Sequence, residues 1–312
     1  MKDKEQNFVS AIIYVHNAEN RIGEFLKMII QEMEENFEHS EIICVNDFSS
    51  DNSLSIIKSV SMMATSTSVS VINMSFFHGL ELAMNAGGDM AIGDFVFEFD
   101  HTYMDFDPEM IMRIYRHSLQ GFDIVSASPD KKEKLTSRMF YKVFDRFAEL
   151  SYKMSTESFR VLSRRVINRM NALNKTIPYR KVVYVNSGLK MDNLRYTVKE
   201  YAKSSVDKKE RNYRSGLAID SLILFTEFGY RFSMIMVAMM MFMSVFMIVY
   251  SAVTYLTAHP IAGWTTTILF LSIAFLGLFG VMTVIIKYLQ FLVNNAFKRK
   301  DYCFESIEKL TK

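Results

Sequence analysis

Three short polar segments of the chain carry side chains suited to binding a charged ligand, and each of them follows an apolar run. They are residues 16–19, 46–51 and 100–102. In the second segment Asp47 and Asp51 are four residues apart, so one carboxylate can accept hydrogen bonds from a base or ribose while the other caps the next helix. In the third segment Asp100 ends its apolar run at a position suited to a divalent cation bound to a diphosphate.

Both carboxylates also have purely structural explanations. Asp51 can act as a helix cap and nothing more, and Asp100 can be a loop carboxylate without a ligand. The residues alone leave these alternatives open.

The apolar runs around these segments alternate between strand and helix patterns. In chain order, we predict strand 8–15, helix 22–37, strand 41–45, helix 54–63, strand 69–74, helix 79–90 and strand 95–99. Strands that alternate with helices predict an α/β fold with a parallel, doubly wound sheet, whose ligand site lies at the carboxyl ends of the strands. Because the polar segments follow strands, we expect them to meet at that edge.

Missing motifs exclude or weaken several classes of protein. No Gly-x-x-x-x-Gly-Lys-Ser/Thr run occurs and no Gly-x-Gly-x-x-Gly follows the first strand, so P-loop nucleotidases and dinucleotide oxidoreductases lack their phosphate cradle. The absence of a Gly-x-Ser-x-Gly elbow weakens a hydrolase interpretation. The two cysteines, Cys44 and Cys303, are too few for a disulfide framework or a cysteine-based zinc site, which fits a reducing compartment.

Charge is divided unevenly along the chain, although the formal net charge is only +2. Residues 1–130 contain 7 basic and 21 acidic residues, whereas residues 131–231 contain 23 basic and 10 acidic ones. This division suggests an acidic surface for a cation and a nucleotide and a basic surface for lipid head groups. Two solvated faces without special partners are the alternative.

The segment 232–286 contains no Lys, Arg, Asp or Glu. Its two runs, 232–258 and 260–286, are each longer than the roughly 20 residues needed to cross a bilayer, so they predict a hairpin of two transmembrane helices. Basic residues flank only the outer ends of the hairpin, which predicts that both termini are cytoplasmic. The first 20 residues have no apolar signal-peptide core, so we expect the large N-terminal part to stay in the cytoplasm.

Several segments together resemble one known family over nearly the whole chain. Residues 45–53 read Val-Asn-Asp-Phe-Ser-Ser-Asp-Asn-Ser, residues 91–94 read Ala-Ile-Gly-Asp before the strand that ends at Asp100, residues 107–109 read Asp-Pro-Glu, and residues 158–165 read Ser-Phe-Arg-Val-Leu-Ser-Arg-Arg. With residues 14–19, they resemble the motifs of inverting family 2 glycosyltransferases with the GT-A fold. The likeness is greatest to the membrane-anchored polyprenyl-phosphate glycosyltransferases, similar to dolichyl-phosphate mannose synthase and its bacterial undecaprenyl-phosphate counterparts.

The resemblance implies a role for each acidic or amide side chain. The nucleotide of the sugar donor would be bound by Asn17, Glu19, Asp47 and Asp51. Asp100 would hold Mg²⁺ or Mn²⁺ on the donor diphosphate and take part in catalysis.

The resemblance also implies a set of basic residues at the phosphates. Arg160 and Arg164 would act in catalysis, and the acceptor phosphate or lipid would be met by Arg160, Arg164, Arg165, Lys142 and Arg146. A polyprenyl phosphate is already an anionic nucleophile, so a strong general base is dispensable.

The third polar segment departs from the family pattern. Thr102 stands in place of the second Asp of the family's Asp-x-Asp motif. The missing metal ligand can come from Glu98, Asp105 or Asp107, with His101 a weaker candidate. Loss of metal binding is the alternative, and it would leave an inactive relative of the family.

These observations together predict a glycosyltransferase of the cytoplasmic membrane that moves a sugar from a nucleotide sugar to polyprenyl (undecaprenyl) phosphate. The predicted parts are a GT-A domain at 1–213, an interfacial helix at 214–231, the helices 232–258 and 260–286, and a basic cytoplasmic tail at 287–312. Expected partners are nucleotide sugar, polyprenyl phosphate and membrane lipids, without nucleic acid; homo-oligomerisation is left open. The alternatives are a catalytically weak membrane scaffold of the same fold and transfer to a growing glycan.

Overall fold

The chain folds into an eight-stranded mixed sheet with helices on both faces, as seen in a computed structural model. The structure describes residues 4–130, 156–172, 180–185, 187–198 and 304–309, with scattered single residues between 216 and 292. The strands are β1 (Val9–Val15), β2 (Ser40–Asn46), β3 (Ser68–Met74), β4 (Phe95–Phe99), β5 (Ile124–Pro129), β6 (Phe159–Ser163), β7 (Met191–Tyr196) and β8 (Phe304–Lys309). The helices are α1 (Glu19–Asn36), α2 (Ser53–Ser61), α3 (Leu80–Met90), α4 (Glu109–Ser118), α5 (Arg164–Ala172) and α6 (Arg180–Val185).

The order of the strands puts β1 at the centre of the sheet. The order is β7-β5-β6-β4-β1-β2-β3-β8. Strands β4, β1, β2 and β3 are mutually parallel, as the sequence predicts. Strand β6 is antiparallel to β4, and β8 is antiparallel to β3, so the whole sheet is mixed and the expectation of a purely parallel sheet is corrected. Chain order reverses at β1, between β2 and β4, which is where ligands bind in doubly wound folds.

Apolar residues bury both faces of the central strands. All seven residues of β1 are buried, as expected for a strand covered on two sides. On one face α1 packs through residues spaced three or four apart, and α4 packs beside it. On the other face α3 and α5 form a second apolar layer. Helix α3 approaches β1 and β2 closely because Gly87 has no side chain to hold it away.

The last described strand comes from the far end of the chain. Strand β8 pairs with β3 over Ser70 to Met74 and covers that edge of the sheet. Residues 298–312 therefore belong to the same compact unit as 1–145 and 150–218. The sequence predicts only a basic tail at 287–312, so this strand is a finding of the structure.

A second compact unit comprises residues 146–149 and 219–297. The predicted segments 214–231, 232–258 and 260–286 lie outside the described residues except for scattered positions. Within the part of the chain that the structure describes, no helix has the length and apolar character required to cross a bilayer.

Candidate active site

The loops that follow β1 and β2 are held together by their own polar side chains. The backbone N–H of Asn17 donates to Ser49 Oγ at 3.1 Å, and the amide oxygen of Asn17 accepts from the backbone N–H of Ser50 at 2.9 Å. Both Asn17 and Phe48 have a left-handed backbone, with φ of 45° and 54°. Phe48 stands where the family motif has glycine, and its side chain is exposed. The first two predicted loops therefore form one rigid rim.

Asp51 and Glu19 complete this rim, because the side chain of each accepts from a backbone N–H of the other loop. One Asp51 oxygen accepts from the N–H of Glu19 at 2.9 Å, and the other accepts from the N–H of Ser53 at 3.0 Å. Glu19 accepts from the N–H of Asn52 at 3.1 Å. Burial by itself would raise the pKa of Asp51, but these hydrogen bonds outweigh it and lower the pKa. Asp51 therefore satisfies the first N–H of both α1 and α2, so the capping explanation applies to two helices at once.

Asp47 lies deeper than the rest of the rim and is fully buried. Its oxygens accept from the backbone N–H groups of His78 and Gly79, each at 2.8 Å, and from the Tyr14 hydroxyl at 3.1 Å. Burial raises the pKa of Asp47, although these donors oppose the rise. In this structure Asp47 fastens the turn that precedes α3, and a contact with a nucleotide remains a prediction.

A buried charge cluster lies at the carboxyl end of β4. Glu98 and Asp100 are two residues apart and project to the same side, where both contact the same two guanidinium groups. Arg160 donates to Glu98 at 2.9 Å and to Asp100 at 2.6 Å. Arg180 donates to Glu98 at 2.7 Å and to Asp100 at 3.1 Å. We refer to these four residues as the β4 cluster.

Neighbouring elements fix the position of each arginine. Arg160 lies directly opposite Glu98 in the antiparallel pairing of β4 with β6. Arg180 begins α6, and both its backbone N–H and its Nε donate to Glu81 of α3, at 3.0 and 2.9 Å. The Tyr184 hydroxyl donates to Glu98 at 3.0 Å. The β4 cluster thus joins α3, β4, β6 and α6.

The two arginines keep Asp100 ionised. Burial raises the pKa of a carboxyl, but the charges of Arg160 and Arg180 outweigh it and lower the pKa of Asp100 to about 2. Burial works against the charge of Arg160, yet Asp100, Glu157 and Glu98 hold the pKa of Arg160 well above its usual value. Asp100 and Arg160 are therefore both charged at neutral pH.

The loop after β4 is anchored at both ends. The guanidinium of Arg21 in α1 lies over the ring of Tyr103, 4.4 Å from its centre. Asp105 accepts from the Tyr196 hydroxyl at 3.1 Å, and Asp107 accepts from the N–H of Glu109 at the start of α4, at 3.2 Å. These contacts hold residues 101–107 beside the rim.

The side chains at the end of β4 do not fit a divalent cation in this arrangement. Both oxygens of Asp100 and both oxygens of Glu98 already accept from guanidinium groups. Thr102 supplies no carboxylate, and Asp105 and Asp107 each have one oxygen engaged elsewhere. In the described part of the chain, no three His, Cys, Asp or Glu side chains come together in a way that could hold a metal ion. A hard divalent cation requires several oxygen ligands, which these residues do not offer together.

Not all of the predicted basic residues join Asp100. Arg164 donates to the carbonyl oxygens of Gly93, at 2.8 Å from Nε, and of Ala91, at 3.0 Å. Those carbonyls lie at the amino end of β4, because β6 runs antiparallel to β4 and Ser163 pairs with Phe95. Arg165 is exposed at the same end, with Nη1 3.7 Å from Asp123. The structure therefore separates Arg164 and Arg165 from Arg160, and of these three predicted residues only Arg160 reaches Asp100.

Two of the predicted residues cannot be compared with the structure, and three residues of the site were not predicted. Lys142 and Arg146 lie outside the described residues. Arg180, Glu81 and Tyr184 were not singled out from the sequence, and the only signal for Arg180 was its place in the basic segment. Their partners lie more than 80 residues away along the chain, so no local pattern reveals them.

Comparisons with known proteins agree with this fold. The model of glycosyl transferase family 2 matches residues 10–173, more than half of the chain. The chain therefore belongs to glycosyl transferase family 2 and is a glycosyltransferase.

Two relatives of this chain are matched over most of their length, and a third over about half of it. An uncharacterized glycosyltransferase of Bacillus subtilis is 24% identical over 94% of this chain and 92% of its own. The bactoprenol glucosyl transferase of Shigella phage SfV is 26% identical over 86% of this chain and 88% of its own. An uncharacterized glycosyltransferase of Synechocystis is 28% identical, and the match spans 56% of this chain and only 56% of that relative's length.

A solved structure supports the fold. The glucosyl-3-phosphoglycerate synthase of Mycobacterium tuberculosis, in complex with phosphoglyceric acid, matches with a TM-score of 0.51 and 14% identity. The match covers 70% of this chain and 79% of that chain. At this identity it supports the GT-A-like architecture and carries nothing about substrate.

Proposed function

We propose that this glycosyltransferase moves a sugar, with inversion at the anomeric carbon, from a nucleotide sugar to polyprenyl phosphate at the cytoplasmic face of the membrane. The observation that carries the proposal is the buried β4 cluster at the carboxyl end of the sheet in a family 2 chain. This is the edge where doubly wound folds bind their ligands, and the rim formed by Asn17, Glu19 and Asp51 lies along the same edge.

The name of a relative suggests the acceptor in this proposal. The phage protein matched over 86% of this chain is named a bactoprenol glucosyl transferase, and bactoprenol is a polyprenyl lipid. Its match extends well beyond residues 10–173, so the likeness includes more than the part shared by the family as a whole. The identity of the sugar is left open, because it depends on the shape of the donor pocket.

The proposed reaction requires little proton transfer. An oxygen of the lipid phosphate attacks the anomeric carbon, and the bond from that carbon to the donor diphosphate breaks with its electron pair on the departing oxygen. Because the attacking phosphate is already an anion, positioning it in line and stabilising the leaving diphosphate are the main requirements. Asp100 and Arg160 lie where the diphosphate would be expected, and the rim would hold the nucleotide.

The position of β8 supports the proposed arrangement at the membrane. Because residues 304–309 pair with β3, they must lie on the same side of any membrane as residues 4–130. The intervening chain then crosses a membrane an even number of times, as the hairpin of 232–258 and 260–286 would. The basic residues at both outer ends of that hairpin favour the cytoplasm for this side.

A transfer assay tests the proposal. The purified full chain is placed in liposomes with undecaprenyl phosphate and offered radiolabelled UDP-, GDP- and CDP-sugars. We expect one donor to give a radioactive lipid that mild acid releases, and undecaprenol without its phosphate to give none. No lipid product from any donor, or a product that resists mild acid, would contradict the proposal; the second result would favour transfer to a glycan.

A further inference from the structure

The arginines of the β4 cluster supply the same charge that one divalent cation would. Glu98 and Asp100 together carry two negative charges, and Arg160 and Arg180 carry two positive charges. Two carboxylates holding one divalent cation give the same local sum. Within these four residues the charges therefore balance without a metal ion, and the flanking Glu81, Glu157 and Lys181 add further charges around them.

Resting on the proposed function, we propose that Arg160 and Arg180 replace a divalent cation at the donor diphosphate, so that this transferase binds its nucleotide donor without a metal. The departure of Thr102 from the family's Asp-x-Asp pattern then reflects a change of mechanism in this chain. Asp100 serves to hold the two guanidinium groups in place.

A cation that took the place of the present partners of Asp100 would have to displace an arginine. The side chains of Arg160 and Arg180 are only 1% and 2% exposed. A buried guanidinium that loses its carboxylate partner retains the cost of desolvation without the compensating attraction. The carboxylates of the nearby loop give no help, because Asp105 binds Tyr196 and Asp107 binds the start of α4.

Both arginines retain hydrogen-bond capacity for phosphate oxygens. A guanidinium has five N–H groups. Arg160 uses one on each nitrogen, toward Glu157, Glu98 and Asp100, and Arg180 does the same toward Glu81, Glu98 and Asp100. Within the described part of the chain, these contacts leave two N–H groups on each arginine. A guanidinium binds phosphate oxygens in a fixed fork, an arrangement that a point charge does not reproduce.

The cluster is most open at Asp100. The side chain of Asp100 is 11% exposed, compared with 2% for Glu98, 5% for Glu81 and 9% for Glu157. A diphosphate would therefore approach the guanidinium groups from the side of Asp100.

Nucleotide binding with and without metal tests this inference. Binding of UDP, GDP and CDP to the purified full chain is measured by calorimetry in EDTA and in Mn²⁺, and binding of Mn²⁺ alone is measured by electron paramagnetic resonance. We expect one nucleotide to bind with the same affinity, within about threefold, in both conditions, and Mn²⁺ alone to stay unbound. Affinity at least about tenfold higher in Mn²⁺ would overturn the inference and leave the proposed function standing. No binding in either condition would overturn both.

Lysine variants test the role of the arginines. Arg180→Lys and Arg160→Lys keep the charge but lose the planar fork, so nucleotide affinity should fall at least about tenfold and Mn²⁺ should not restore it. Arg113→Lys, at an exposed position of α4, is the matched control and should bind as the original chain does. Thermal unfolding confirms that each variant is folded. Unchanged binding in both cluster variants would overturn the inference, and if neither folds, the comparison of EDTA with Mn²⁺ decides alone.

Discussion

The acidic residues near the carboxyl edge differ in what satisfies their charge. Asp47 and Asp51 accept mainly from backbone N–H groups and so fix the loops and helix starts around them. Glu98 and Asp100 accept from guanidinium groups and so hold positive charge in place. Removing a backbone-bound carboxylate should therefore disturb loop geometry, whereas removing a cluster carboxylate should leave arginine charge uncompensated.

The substitution Glu98→Gln tests that difference by its effect on stability. It keeps the shape of the side chain but leaves Arg160 and Arg180 with one fewer counter-charge inside the protein. We expect a loss of about 3 kcal/mol, or a fall of roughly 6–12 °C in the thermal midpoint of the detergent-solubilised full chain. Glu38→Gln, at an exposed position, is the control and should shift the midpoint little. Equal small shifts in both variants would show that the cluster contributes no stability.

The lowered pKa of Asp100 predicts how stability depends on pH. Its pKa is about 2 in the folded chain and 3.8 without perturbation. A depressed carboxyl pKa stabilises the folded state fully above the unfolded value, and that contribution is lost as pH falls from about 4 to about 2. The loss should be about 2 kcal/mol. Unfolding midpoints between pH 5 and pH 2 measure it, and Asp100→Asn should flatten the curve; an unchanged slope in Asp100→Asn would contradict the assignment.

At the scale of the elements, two adjacent glycines of α3 have opposite roles. A side chain at Gly87 would collide with Ile12 of β1 and crowd Val45 of β2, whereas one at Gly88 would meet nothing within 4 Å. We expect Gly87→Ala to destabilise the protein by about 2 kcal/mol through overpacking. Gly88→Ala should stabilise it by about 0.5–1 kcal/mol because alanine loses less entropy in a helix. Thermal unfolding of the two variants gives the answer, and a change of the same sign in both would be incompatible with the packing of α3.

The elements were predictable wherever burial imposes a pattern. The predicted strand 95–99 coincides with β4, and the other predicted strands differ from the structure by one residue at one or both ends. The predicted helix 22–37 begins three residues late, because the first turn of α1 is polar and its start is set by Asp51 in a different loop. Strand β8 escaped prediction because an edge strand covers its partner without needing an apolar run, and its partner lies more than 200 residues away.

The candidate site was predictable only in part, because some of its contacts join residues that lie far apart in the sequence. Short motifs identified Asp100 and Arg160, which the structure places 2.6 Å apart. The same motif also suggested Arg164, but four residues along β6 carry it to the opposite edge of the sheet. Arg180 depends on contacts with Glu81 and Glu98 that bridge long stretches of chain. Long-range ion pairs have no local sequence signature, so the charge balance of the site required the fold.

At the scale of the whole molecule, β8 predicts that two distant parts of the chain share one compartment. Glu38→Cys and Lys309→Cys, both at exposed positions, are made singly in a Cys303→Ser background. Cys44 should not interfere, because it is buried and burial raises the pKa of its thiol to about 12. We expect a membrane-impermeant maleimide to label both sites only after the membrane is opened. Opposite labelling of the two sites would contradict the pairing of β3 with β8, and labelling of both in intact cells would contradict the cytoplasmic orientation.

The central claim is that sugar transfer takes place at the carboxyl end of β4. Asp94 and Asp100 lie at the two ends of this strand. Among the described residues, the side chain of Asp94 accepts one hydrogen bond, from the backbone N–H of Phe8. The most direct measurement is the initial rate of lipid glycosylation by purified Asp100→Asn and Asp94→Asn in undecaprenyl-phosphate liposomes. We predict that Asp100→Asn loses about 100-fold or more in rate while Asp94→Asn stays within about threefold of the original chain. Full activity in Asp100→Asn would contradict sugar transfer at the carboxyl end of β4.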